Sequence, residues 1–133
     1  MRLLLDTHIW IWSMVEPDRL PKKIALALRN DDNELWLSPI SLWELWVLVQ
    51  KNRIALAEDF HPWVSRALSH ARFREAPITN EVIMEIPKLE FSHRDPADHF
   101  IAASARIFDL TLVTADPNLL KLKSQGLSVL AAS

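Results

Sequence analysis

The chain has no cysteine, no tyrosine and a single glycine, Gly126, in 133 residues. Without cysteine there are no disulfides, no thiolate nucleophile and no cysteine-based zinc site, and the chain suits a reducing compartment, so a cytoplasmic location is expected. One glycine is too few for a Walker or dinucleotide loop, in which several glycines let the backbone turn sharply and approach phosphate. No apolar run reaches the ~18 residues of a membrane span. The first residues enter a strand rather than a basic and then apolar signal, so export is not expected. His8, His61, His70, His93 and His99 include no i, i+4 pair of the kind a helical zinc site uses, and each reads as a cap or surface residue.

Positive charge is not in excess either. A net charge of −2 argues against a protein that grips nucleic acid through a broad basic surface, so any such contact must be local. What is present is apolar material: hydrophobic residues make up 50% of the chain, enough to fill a core. The length fits one domain, spanning residues 1–133, that buries roughly two thirds of its unfolded surface.

Strand and helix signals alternate along the chain. Arg2 to Leu5 reads as a buried strand, Thr7 to Met14 as a short helix, and Pro21 to Arg29 as another that stops at Asn30-Asp31-Asp32-Asn33. Glu34 to Ser38 is a second strand, apolar in a row as a strand covered on both faces would be. Ser38 to Lys51 follows as a helix with almost no polar face. Such a helix needs cover all round, either from a partner or from the segment that follows it. A helix over Asp59–His70 leads through the basic Arg66, Arg72 and Arg74 to a short edge strand at Glu75-Ala76-Pro77-Ile78. Helices from Thr79 to Ile86 and from Asp95-Pro96 to Phe108 come next, the second opened by an Asp cap with proline after it. Thr111 to Thr114 is a strand, Asp116-Pro117 opens a last helix to Ser124, and Ser128 to Leu130 closes the sheet. This order predicts a three-layer α/β/α domain with a mainly parallel sheet of about five strands.

Four acids stand at related places in that order. Asp6 and Asp116 end strands, where open parallel sheets bind ligands. Glu44 and Asp98 lie near the N-termini of helices that meet the same edge. Each also fits a helix cap: Asp6 before Thr7, Asp116 before Pro117, Ser41 with Glu44 in capping-box form, and Asp95 with Asp98 in a related one. Side-chain direction separates the readings. From Asp98 the helical stripe continues as Ile101, Ala102 and Ala105, and from Glu44 as Val47 and Leu48, so both acids extend buried faces. Ionised carboxylates buried together need a cation or strong partners. Asp95 is assigned the cap and Asp98 the ligand role. Thr114 either orients a ligand or points outward from its strand.

Leu3-Leu4-Leu5-Asp6-Thr7, Ser38-Pro39-Ile40-Ser41-Leu42-Trp43-Glu44-Leu45, His93-Arg94-Asp95-Pro96-Ala97-Asp98-His99-Phe100-Ile101-Ala102-Ala103 and Leu112-Val113-Thr114-Ala115-Asp116 together resemble the four motifs of the PIN-domain ribonucleases. They resemble in particular the VapC-type toxins of bacterial toxin–antitoxin pairs, and the likeness extends over essentially the whole chain. By that resemblance Asp6, Glu44, Asp98 and Asp116 correspond to an acidic quartet, with Thr114 as its helper. His99 departs from the pattern, standing where many relatives carry arginine. The resemblance implies a Mg²⁺- or Mn²⁺-dependent endoribonuclease, usually dimeric, that an antitoxin holds inactive. Asp6 and Asp98 are then expected to hold the principal ion. Glu44 and Asp116 complete the cage, position water or hold a second ion, and Arg94, Lys51, Arg53 or Arg72 meets RNA phosphates. A DNA nuclease or phosphatase using the same acids, and a non-catalytic protein-binding domain, are the competing readings.

Overall fold

The computed structural model describes residues 1–70, 72–91 and 95–132. Its centre is β1 (Arg2–Leu5), flanked by β2 (Glu34–Leu37) and β4 (Thr111–Thr114), with β3 (Arg74–Glu75) and β5 (Val129–Ala131) at the edges. Every neighbouring pair is parallel. A parallel sheet needs helices on both faces, because each strand returns to the same end through a crossover.

The alternation of side chains along β1 supplies both faces. Leu3 and Leu5 point into a core shared with α1 (Thr7–Val15), α2 (Lys22–Arg29), α3 (Pro39–Gln50) and α4 (Phe60–His70) through Ile9, Ile24, Leu45 and Val64. Leu4 points the other way, toward α5 (Asn80–Glu85), α6 (Pro96–Ile107) and α7 (Pro117–Leu120) through Val82, Ile101 and Leu119. All three leucines are fully buried. In β4 the same division sends Val113 to the first core and Leu112 to the second. The sheet between two helical layers is the architecture the sequence predicts.

Three elements differ locally from that prediction. The third strand is Arg74–Glu75 rather than Glu75 to Ile78. Its edge pairing ends with the Ala76 N–H donating to the Leu37 carbonyl at 2.9 Å, since Pro77 has no N–H to continue. The last helix is α-helical only to Leu120 and tightens into a 3-10 turn over Lys121–Gln125. Leu119 of the helix and Leu122 of the turn are both buried in the second core. Gly126 ends it at a φ of 89°, a left-handed conformation that only glycine adopts without cost. The final strand is one residue later than expected, at Val129–Ala131.

The apolar α3 is bounded by its expected ends, Ser38 and Lys51. Its inner side buries Ser41 and Leu45, while Trp43 and Trp46 remain 56% and 42% exposed. Phe60 of α4 meets Trp46 edge-on at 5.1 Å, so the following segment closes part of the far side and leaves Trp43 open.

Leu112→Ala removes a fully buried side chain from the central part of the sheet and is expected to cost ~2–5 kcal/mol of unfolding free energy in urea titration. Met84→Ala, at a side chain 65% exposed, should change the same quantity by less than ~0.5 kcal/mol.

Candidate metal centre

The carboxyl ends of β1 and β4 lie side by side. The Asp6 N–H extends their pairing by donating to the Val113 carbonyl at 2.9 Å. Here a cavity of about 210 Å³ opens, and Asp6, Glu44, Asp95, Asp98 and Asp116 line it. The structure thus brings all four candidate acids to one place, with Asp6 and Asp98 only 6% and 4% exposed. Asp95 is a fifth. It caps α6 as expected, accepting from the Ala97 N–H at 3.1 Å, and faces the cavity as well. Asp6 and Asp116 also cap, accepting from the N–H groups of Thr7 and Asn118, each at 2.8 Å. Capping and facing the cavity are compatible, because a helix N-terminus favours the ionised carboxylate.

Two hydroxyl chains hold these acids. The Thr114 hydroxyl donates to Asp6 Oδ2 at 2.7 Å and accepts from the Asp116 N–H at 3.0 Å, so Thr114 points into the site rather than outward. The Thr7 hydroxyl donates to Glu44 Oε1 and lies 2.8 Å from Ser41 Oγ. A hydroxyl has one proton, so with the Thr7 proton on Glu44 the Ser41 hydroxyl must be the donor of that pair. Both residues are buried. The capping box read at Ser41 and Glu44 does not form. Ser38 caps α3 instead, accepting from the Ile40 N–H at 3.2 Å with Pro39 next to it, and this frees Ser41 for Thr7. Sequence reasoning missed Thr7 and Ser41. The available signal was a hydroxyl beside one acid and another three residues before a second.

Burial pushes the Asp6 carboxyl above the usual carboxylate range, with the Thr114 hydroxyl, the Thr7 N–H and the His8 imidazole opposing and the Asp116 charge adding to the rise. Burial also pushes Glu44 up, to about 7. Its hydrogen bond from Thr7 opposes that, while the charges of Asp95, Asp6 and Asp98 add to it. Among the described residues no lysine or arginine lines the cavity. Lys51, Arg53 and Arg72, expected as phosphate contacts, are all absent from its wall: Lys51 and Arg53 lie past the far end of α3, and Arg72 borders a separate groove with Arg29 and Arg74. Arg94 lies outside the described residues.

Five carboxylates gathered on a wall with no described lysine or arginine make a place for a cation. Five carboxylates against one histidine, His8, make the donors mostly oxygen, which suits Mg²⁺, Mn²⁺ or Ca²⁺ rather than a soft metal. Among the described residues no three of the acids or histidines close tightly enough to enclose an ion as they stand. Mg²⁺ does not require that, since it keeps several waters and binds through one or two carboxylates. The residues therefore fit a hard, partly hydrated cation.

The model of the PIN domain matches residues 3–124. The chain belongs to the PIN-domain family. Among its relatives, Ribonuclease VapC22 of Mycobacterium tuberculosis (strain ATCC 25618 / H37Rv) is 36% identical over 118 residues, or 88% of each chain. Among solved structures, the PIN domain resembles VapBC2 from Rickettsia felis bound to a promoter DNA fragment, with a TM-score of 0.72, 22% identity and all of both chains covered. It also resembles a toxin–antitoxin complex from Klebsiella pneumoniae, with a TM-score of 0.67, 21% identity and 98% of each chain covered. At those identities the structural likeness speaks for the fold.

A carboxylic acid whose pKa is higher folded than unfolded keeps its proton more tightly in the folded state. The folded chain then binds more protons than the unfolded one between the two pKa values, and stability falls as pH rises through that interval. For Glu44 the interval runs from 4.5 to about 7. With divalent ions chelated, the melting temperature of this PIN domain is expected to fall between pH 5 and pH 8, and Glu44→Gln should flatten that slope. A wild-type melting temperature that does not fall over this range, or an unaltered slope in the variant, contradicts the electrostatic account.

Proposed function

We propose that this PIN domain is a metal-dependent endoribonuclease, the toxin of a toxin–antitoxin pair, with Asp6, Glu44, Asp98 and Asp116 as its metal-binding and catalytic groups. The observation that carries the site assignment is the cavity at the carboxyl edge of the sheet, lined by five carboxylates and by no described lysine or arginine. The relative's name, Ribonuclease VapC22, supports the ribonuclease activity, and the toxin–antitoxin complexes among the structural neighbours support a protein inhibitor.

Mg²⁺ or Mn²⁺ is the metal proposed, and when bound there it would polarise the phosphodiester and acidify a water at neutral pH. Asp6 and Asp98 are the most deeply buried of the acids and are assigned the principal ion. Thr114 fixes Asp6 by its hydrogen bond, so the Oδ1 edge of Asp6 and its partner Thr7 N–H keep one orientation. Glu44 and Asp116 complete the cage or position the attacking water. Glu44, on the wall of the cavity, would take that water's proton in the second of these roles. The exposed Trp43 on α3 offers an apolar surface for a protein partner, and a homodimer and an antitoxin are the partners proposed. The cytoplasm is the proposed compartment.

Asp6→Asn and Asp98→Asn should each lower Mg²⁺-dependent RNA cleavage by at least ~100-fold while the melting temperature is kept or raised. Full activity in either variant removes the site. Parallel assays with DNA and a phosphomonoester test the substrate: cleavage of those alone replaces the ribonuclease reading. Sedimentation that finds only monomer at all concentrations would remove the homodimer.

A further inference from the structure

The acidic cavity poses a problem for a polyanionic substrate. A metal ion can neutralise the phosphate being cut, but the neighbouring phosphate meets a wall of carboxylates with no described lysine or arginine among them. Among the described residues, a cation for that phosphate has to come from outside the lining.

Helix α1 leads out of the site from Asp6. His8 and Trp12, four residues apart and so on one face of that helix, both border the cavity. Their ring centroids are 6.1 Å apart. The 3-10 turn Pro17–Arg19 after the helix brings the chain back, and the Arg19 guanidinium lies over the Trp12 ring at 4.4 Å from its centroid. Trp12 is itself packed against the core, so the support under Arg19 is firm. The Arg19 side chain remains 57% exposed. Its ion pair with Glu16 is a surface contact at 3.6 Å and offers little resistance to a phosphate. His8 is exposed at the mouth of the cavity.

A guanidinium laid on an aromatic ring keeps its N–H edge free for a phosphate and is already ordered before binding. An exposed imidazole beside it offers a ring to an unstacked base. Together they match a nucleotide of single-stranded RNA, whose bases are free to splay, better than a duplex, whose bases are already stacked.

We infer that His8, Trp12 and Arg19 form the rim that holds single-stranded RNA beside the acidic cavity, Arg19 taking the phosphate next to the scissile one and His8 meeting its base. This rests on the ribonuclease reading. Trp12 is a positioning residue that acts through Arg19.

The test is the affinity of a fluorescently labelled single-stranded RNA oligonucleotide, measured by anisotropy with Ca²⁺ present over a range of salt. Arg19→Gln should weaken binding several-fold at low salt and reduce the slope of log affinity against log salt by ~0.7, the value for one phosphate contact on a single strand. His8→Ala should weaken binding with less change of slope. Arg66→Gln, an exposed arginine on α4 that pairs with Glu58 and borders no part of the cavity, should match the wild type. Wild-type affinity and slope in Arg19→Gln overturn the inference. So does an equal loss in Arg66→Gln, or a wild type that binds no RNA. Cleavage with Mg²⁺ is assayed separately: a wild type that binds RNA through this rim but does not cut it sinks the ribonuclease reading and leaves the rim standing.

Discussion

Mutual repulsion among carboxylates that the fold brings to one edge of the sheet is the interaction on which the rest of the site depends. Asp6 and Asp98 are buried there, and Glu44 feels the charges of Asp95, Asp6 and Asp98. Burying like charges together opposes folding, so the arrangement exists at the expense of stability. The two apolar cores, each anchored by leucines of the central strand, offset that cost. Proteins commonly accept such local conflict where chemistry is performed.

Among the described residues, the hydroxyl chains show how the conflict at Asp6 and Glu44 is contained by neutral donors. Thr114 satisfies Asp6, and the pair Ser41 and Thr7 satisfies Glu44. A hydroxyl supplies a donor to a carboxylate yet adds no charge, so the group stays able to interact with a cation. A lysine or arginine in the same place would neutralise the acids permanently and compete with metal. Arg19, laid on Trp12, is the cation we infer for the margin of the site.

Much of the fold was legible because its signals are local. Asp95-Pro96 and Asp116-Pro117 start helices where expected, and Ser38 and Lys51 bound α3. The apolar row Leu3 to Leu5 announces a strand covered on both faces. The two-residue β3 was placed late because Arg74 has no pattern of its own and pairs only through the neighbouring strand. The capping-box reading at Ser41 and Glu44 failed because Ser38 was an equally good cap three residues earlier, followed by proline. Local spacing cannot choose between two caps when one serine has a distant partner.

The sequence by itself determined the elements, their alternation and the chemical character of the four candidate acids, since periodicity, caps and side-chain type are properties of short stretches. Tertiary structure alone decided that β1 lies between β2 and β4, which sets Asp6 beside Thr114, a hydrogen bond across 108 positions of chain. It alone paired Thr7 with Ser41, added Asp95 to the cavity, turned Lys51, Arg53 and Arg72 away from it, and laid Arg19 on Trp12. The reason is that pairing order and side-chain convergence are set by which surfaces the whole chain can bury at once, and no stretch of residues contains that information.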